Sequence, residues 1–379
     1  MKSSFRWLLP SLMVLALLLV PLLSRVDPQL ETKAMNITVF VATFAVLSLG
    51  LNVVVGYTGL LDLGYVTFLA TGAIVTYDLL LLTSTPTGVV LPVGDAAGTT
   101  GEQLFAFPGA YLFALLAAGL VCALLGILRG IPTLKLTGDY YAIVTLGLAE
   151  IMYLVYLNES WLTGGANGMS LGFEARPSLF GTKLYYDEPV FYYFVLGVLA
   201  LTLLVLHHLN RSRIGRAWGA IRLDDVAARA SGINVSRYKM LAFAVSGFFG
   251  GVGGGLYAIW ASTVAAKSLD IWQSILILCA VVLGGMGSLR GVLLGAAILF
   301  PLREVLREQI TVMDTVLRVP PEASNLIYGL LLIVVMRFRP QGLLPRGHGE
   351  SKPMSPKAEE ALRQSEPRLY VLGERRDPA

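Results

Sequence analysis

The amino-acid sequence predicts an all-α polytopic membrane protein with about ten transmembrane helices, and three observations carry that expectation. Of 379 residues, 55% are hydrophobic and 14% charged, against roughly a quarter charged in an ordinary soluble domain. Apolar runs near the length needed to cross about 30 Å of hydrocarbon recur along the chain. Lys and Arg collect in alternate connections between those runs, the pattern of loops that stay on the cytoplasmic side. A soluble chain of this length would form about two or three domains; the apolar runs point to one polytopic unit instead.

The first run, 7–23, lies in "MKSSFRWLLPSLMVLALLLVPLLSR". Its basic start resembles a secretory signal. However, 17 residues reach the spanning limit and no small-x-small cleavage site follows, so a retained first helix is predicted within the segment 1–36. A transmembrane domain is predicted over 37–345, with spans near 37–55, 65–82, 110–128, 141–157, 190–206, 240–260, 271–284, 291–302 and 326–336. The last three hold 11 to 14 residues. At about 1.5 Å per residue they fall short of the hydrocarbon thickness, so they extend further or are partial helices buried in protein. Residues 346–379 are polar, Pro-dotted and of mixed charge, and read as a cytoplasmic tail without chemistry. Cys122 and Cys279 fall inside apolar runs, which suits buried thiols rather than a disulfide framework.

Orientation follows from the basic residues. The segment 207–239 holds Arg211, Arg213, Arg216, Arg222, Arg229, Arg237 and Lys239, whereas the loop 83–109 holds none. Lys2 and Arg6 precede the first span, and Arg337 and Arg339 follow the last. With ten spans these segments share the cytoplasmic side, and both termini are cytoplasmic. Arg303, Arg307 and Arg318 fall outside in this scheme and run against it.

Enzyme chemistry has no foothold. No GxxxxGK[ST], HExxH or CxxC occurs, so neither a P-loop nor a metal site is expected. "GMSLG", 168–172, matches the G-x-S-x-G pattern of a nucleophile elbow, but His207, His208 and His348 are all expected across the membrane from Ser170. "GGVGGG", 250–255, lacks the spacing of a dinucleotide loop and lies inside a span. Gly247, Gly251 and Gly255 recur every four residues there, a stripe that lets a neighbouring helix approach closely.

Four features are candidates for function. Glu150 sits mid-span, where an ionisable group costs about 2.5–3.5 kcal/mol; it shares a helical face with Asp139 and either pairs with a neighbouring helix or lines a watered path. "GYTGLLDLG", 56–64, interrupts two apolar runs with Gly56, Thr58, Gly59 and Asp62, and "GGMGSL", 284–289, repeats its G-x-x-G-x-L spacing through Gly284 and Gly287. Paired glycine breaks in two halves of a chain point to a substrate path, because unwound backbone exposes its polar groups to a cavity; the plain alternative is a cytoplasmic turn. The outer loop 158–189 contains "LTGGANGMS", with Thr163, Gly164, Gly165, Asn167 and Gly168, and is either a docking loop for a partner or a connector.

The fourth candidate is the basic loop "RIGRAWGAIRLDDVAARASGINVSRYK", 213–239. Asp224 and Asp225 suit a helix start and Gly232 its end, so 225–231 reads as a two-turn helix between spans. Val226, Ala230 and Ile233 fall at i, i+4 and i+7 and form a small apolar face. Such a helix fits a groove on another protein, and a basic loop touching anionic lipid is the plainer reading.

This loop, together with "GYTGLLDLG", "TGDYYAIVTLGLAEI", "LTGGANGMS", "LGGMGSLRG" and "RPQGLLP", resembles the LivM-type permeases of branched-chain amino acid ABC importers over roughly residues 37–345. The resemblance implies that 37–345 is an ABC importer permease bundle in a bacterial inner membrane. It also implies that the loop couples to an ATPase through Arg222, Asp224, Asp225, Val226, Ala227, Ala228, Ala230, Gly232 and Ile233. Implied partners are a LivH-type permease, two cytoplasmic ATPase subunits that hold ATP and Mg, and a periplasmic binding protein. The implied cargo is Leu, Ile or Val; similar permeases carry urea, amides or aromatic acids. One departure is visible: Ala227, Ala228 and Gly232 match the E-A-A-x-x-x-G pattern of many importers, but Val226 stands at the Glu position. The rival class is an ion-coupled secondary transporter using Asp62 or Glu150.

Overall fold

A computed structural model describes residues 28–84, 110–134, 139–170, 178–179, 182–183, 188–307, 310–312, 315–317, 326, 328–330, 333–334, 337–339 and 341–344. The expected first helix at 7–23, most of the outer loop 83–109 and the tail 346–379 lie outside the described residues, and the run 326–336 is described only in pieces.

The chain is built from helices. Helix α1 (Pro28–Asn52) continues without a break into a π-helix, Val53–Thr58. Then come α2 (Val66–Ser84), α3 (Ala110–Thr133), α4 (Asp139–Asn158), the short α5 (Ser160–Thr163) and a 3₁₀ turn (Gly165–Asn167). After α6 (Pro189–Arg211) the basic segment forms two helices, α7 (Arg213–Leu223) and α8 (Asp225–Ala230), where only one was expected. Helix α9 (Val235–Ala261), α10 (Ile271–Gly284) and α11 (Leu289–Arg307) complete the bundle. Three two-stranded antiparallel pairs lie in the connections: β1 (Met169–Ser170) with β4 (Thr263–Val264), β2 (Ser178–Leu179) with β3 (Thr182–Lys183), and β5 (Ile310–Val312) with β6 (Thr315–Leu317).

Among the described residues, five helices are long and apolar enough to span: α1 with its π-helical extension, α3, α4, α6 and α9. Shorter apolar stretches lie in α2, α10 and α11. Helix α11 runs on to Arg307, past the expected end of its apolar run, whereas α10 keeps only 14 residues and stops at Gly284, where Gly285 takes φ +117°. At 1.5 Å per residue α10 is about 21 Å long, too short to cross alone, and its end is buried in protein.

Helix α9 is the axis of the bundle and packs against α3, α2 and α1. The expected glycine stripe is the reason it can. A Cβ on Gly251 would lie 2.5 Å from the carbonyl oxygen of Ala118, and one on Gly247 would overlap that of Cys122, so α9 and α3 touch backbone to backbone. Gly255 leaves room instead for the side chains of Thr76 and Leu115. On its other side α9 joins α1 and α11 through an aromatic cluster of the buried Phe40, Phe44, Tyr257 and Phe300 with the half-buried Trp260, which donates to Asn36 Oδ1 at 2.6 Å. Both cysteines are buried and free. By contrast α3, α4 and α6 turn large apolar residues outward, among them Phe113, Ile143, Ile151, Leu201 and Leu204. Exposed to water, such a surface costs about 25 cal/mol per Å², whereas lipid or a second apolar protein covers it without that cost. This is a multi-pass membrane protein.

The connections segregate. At one end lie 56–64, the end of α3, α7 and α8, 284–288 and 341–344, joined by the contacts described below and by Leu343 N–H and Leu344 N–H donating to the carbonyls of Leu283 and Gly284. At the other end, β1 pairs with β4 and Tyr77 donates to the carbonyl of Ser262.

Candidate functional site

The stretch "GYTGLLDLG" is a junction rather than a simple turn. Its first residues end α1 as a π-helix, in which the Gly59 N–H donates to Val54 O and the Thr58 hydroxyl donates to the same carbonyl at 2.7 Å. Gly59 then closes the helix in the left-handed region, φ +78°, which a residue without Cβ adopts freely. Gly56 has no room for a side chain: a Cβ there would overlap Asn52 Oδ1 and the Gly287 nitrogen. Asn52 Oδ1 accepts from Gly287 N–H at 2.8 Å, so the two glycine breaks with matching spacing meet directly.

Arg222, in the last turn of α7, binds both breaks. Its Nη1 donates to Gly56 O and, at 3.4 Å, to Met286 O. The last carbonyls of a helix have no intrahelical donor and carry the negative end of its dipole, so a guanidinium is suited to this place. Nearby, Trp218 stacks on Tyr57 with ring centroids 6.1 Å apart and donates from Nε1 to Tyr238 O at 2.8 Å, which seats α7 against both the π-helix and α9.

Asp62 is held on the other side of the junction. Its Oδ1 accepts from Gly64 N–H at 2.9 Å and is ion-paired with Arg129, whose Nη1 donates to Gly64 O at 2.8 Å. Asp62 is buried, at 1% exposure, Arg129 is largely so at 11%, and the guanidinium lies 4.7 Å from the centroid of the Phe68 ring. Leu63 N–H donates to Thr145 Oγ1 of α4 and Val66 N–H to Ser274 Oγ of α10. This segment therefore ties α3, α4 and α10 together. Oδ1 carries both the ion pair and the Gly64 bond, whereas Oδ2 is buried without a hydrogen-bond partner.

The expected path residues are only partly assembled. Gly56, Thr58, Gly284 and Gly287 are buried, Gly59 is exposed, and Gly56 touches Gly287. Glu150 is not with them: it is exposed on the outward face of α4, beside Gly147, around which a Cβ would meet nothing within 4 Å.

Helix α8 is defined by its caps. Asp224 Oδ1 accepts from the N–H groups of Val226 (2.7 Å) and Ala227 (3.1 Å). At the other end Ile233 N–H bonds to Ala228 O and Gly232 N–H to Arg229 O, both at 3.0 Å, with Gly232 at φ +81°: a Schellman motif, completed by Ile233 packing on Ala228. The helix covers 225–230, one residue shorter than expected, and Asp225 does not cap it but pairs with the buried Lys239 of α9. The expected Val226–Ala230–Ile233 face is split. Ile233 turns inward with Ala228, Ile221 and Val235, while Val226 is 73% exposed, Ala227 and Ala230 are exposed, and Leu223, not singled out by the sequence, is 83% exposed.

At the opposite end Thr163 is buried, donates to Tyr156 O and accepts from Gly165 N–H at 3.1 Å. Gly164, Gly165 and Gly168 all take positive φ, and a Cβ on Gly168 would lie 2.6 Å from Val264 O. Of the docking-loop candidates only Asn167 is exposed; the rest build a turn pinned to β4.

Arg129, Asn52, Thr145, Tyr57 and Trp218 are the junction residues that sequence reasoning missed. Trp218 alone carried a usable signal, since Ile214, Trp218 and Ile221 recur at i, i+4 and i+7 behind Ser212, whose Oγ caps α7.

Residues 33–336 match the family described as branched-chain amino acid transport system / permease component. The chain is 35% identical over 332 residues to the high-affinity branched-chain amino acid transport system permease protein LivM of Salmonella typhimurium, covering 82% of this chain and 70% of that protein. It is 36% identical over 332 residues to the protein of the same name from Escherichia coli, covering 81% and 70%. No solved structure gives a significant match.

Proposed function

Because the chain belongs to the branched-chain amino acid transport system permease family, we propose that it is the permease subunit of an ATP-driven importer for Leu, Ile or Val. It is the non-catalytic part of the machine: ATP and Mg are bound by two partner subunits on the cytoplasmic side. A second, LivH-type permease completes the passage, and a periplasmic binding protein delivers the amino acid to the end that carries Asn167.

The observation that carries this reading is α8, a short helix capped at both ends that presents Val226 and Ala230 to the outside beside Leu223 at the end of α7, while Arg222 in the last turn of α7 grips the glycine breaks. Exposed apolar side chains on a rigid, capped helix suit a groove on a partner protein. Arginines around it favour the cytoplasmic side, and with the ten spans read from the sequence both termini lie there as well. The domain 37–345 then does the transport, with 346–379 as an appended tail. Glu150, outward on α4, faces the second permease rather than lipid, where an ionised group is costly.

ATP binding between the two partner subunits draws their α8 docking sites together, and the bundle changes between outward and inward openings because nucleotide favours one of the two states. The test is to purify the tagged chain from its host, identify the proteins that come with it, and measure leucine uptake into proteoliposomes of the complex. ATP-dependent uptake supports the reading. Uptake by the chain alone, driven by a proton or sodium gradient, would exclude it.

A further inference from the structure

We infer that Arg222 is the positioning residue through which movement of α8 reaches both glycine breaks at once. The inference rests on the reading that α8 is where an ATPase pushes. Its own basis is the geometry of one side chain.

Arg222 and α8 belong to one rigid piece. Asp224 closes the last turn of α7, with its N–H donating to Ala220 O at 3.2 Å, and its carboxylate opens α8. Arg222 lies two residues earlier, so a displacement of α8 carries its guanidinium along. That guanidinium binds the carbonyls of Gly56, at the end of the π-helix, and Met286, just beyond the end of α10. Two helix ends, both with their negative poles towards it, therefore converge on one cation. They are also coupled to each other, because Asn52 Oδ1 holds Gly287 N–H. Neighbouring residues divide the labour: Leu223 is turned outward, while Arg222, though exposed, lays its guanidinium on the carbonyls of the two breaks. Two ties do not pass through Arg222: Asp225 with Lys239 joins α8 to the axial helix α9 and bypasses the breaks, and Trp218 of α7 stacks on Tyr57 at the first break. Loss of Arg222 is thus expected to leave α8 folded and attached while removing its hold on the end of α10 and leaving only the Trp218–Tyr57 contact at the end of α1.

The experiment compares wild type, Arg222→Gln and Arg222→Lys in the full complex with its ATPase subunits. Backbone hydrogen exchange is followed with and without ATP and vanadate. In the wild type, trapping is expected to change exchange at 223–232, 53–60 and 284–288. In Arg222→Gln the change at 223–232 persists, the change at 284–288 is lost, that at 53–60 is reduced, and leucine uptake per ATP hydrolysed falls by about tenfold, within the range of typical coupling between sites. Arg222→Lys keeps the charge without the fork and is expected to keep the response at one break; it also serves where Arg222→Gln does not assemble. A merely structural role would lower assembly, hydrolysis and uptake together and leave their ratio unchanged. Breaks that respond in Arg222→Gln, or both in Arg222→Lys, as they do in the wild type overturn the inference alone. A wild-type complex in which 223–232 does not respond to nucleotide overturns the ATP-coupled reading, and this inference with it.

Discussion

The backbone N–H of Gly287 donates to the side-chain oxygen of Asn52 at 2.8 Å, joining two points 235 residues apart in the chain. The bond is buried and lies between the π-helix and the turn after α10. In Asn52→Leu the shape is kept but the amide of Gly287 loses its acceptor, which costs about 1–3 kcal/mol for a buried group. The midpoint of thermal unfolding in detergent is expected to fall by several degrees; an unchanged midpoint would show that the link contributes nothing.

Asp62 and Arg129 provide a second test, because removing one member of a buried ion pair leaves the other charge uncompensated. Arg129→Ala is expected to lose about 3–5 kcal/mol. Asp62→Asn combined with Arg129→Ala is expected to lose less than Arg129→Ala alone. A double-mutant cycle read by denaturant unfolding measures the difference, and simple additivity of the two changes would refute the pairing.

Two glycines should respond in opposite ways to the same added methyl group. Gly251→Ala drives a Cβ to 2.5 Å from the Ala118 carbonyl, so α9 and α3 must separate; overpacking of this kind costs about 1–3 kcal/mol. Gly147→Ala meets open space on α4 and is expected to be neutral or to stabilise by up to about 1 kcal/mol through helix propensity. Equal effects on folded yield and melting midpoint would contradict the packing described.

Gly232 holds φ +81° at the end of α8 with open space around it, so the effect of an added Cβ there is conformational rather than steric. Gly232→Ala is expected to cost about 1–2 kcal/mol, confined to this motif. Amide exchange at 226–233 should speed up while the rest of the bundle stays protected. Exchange that rises throughout would mean that α8 does not fold as a local unit.

What could be read from the sequence was local. Asp224 and Gly232 announced the ends of α8 because capping chemistry involves neighbours in the chain, and Gly247, Gly251 and Gly255 announced a close helix contact through their period alone. The amphipathic spacing of α7 was legible too, but it was obscured by the arginines between its apolar residues. Asp62 looked like a turn residue because its partner, Arg129, is 67 positions away, and nothing in either neighbourhood reports the other. The matching glycine breaks pointed to a shared place in the molecule, but not to the guanidinium that joins them. The Val226–Ala230–Ile233 face was misjudged because Ile233 lies past the helix end, where the Schellman turn redirects it inward onto Ala228.

The account depends most on what α8 touches. Val226 is 73% exposed at the centre of the outward face, so Val226→benzoylphenylalanine, irradiated in intact cells, samples its neighbour directly. Capture of a polypeptide that carries a nucleotide-binding P-loop is the predicted result. Capture of lipid alone, or of no ATPase in cells that actively import leucine, would contradict it.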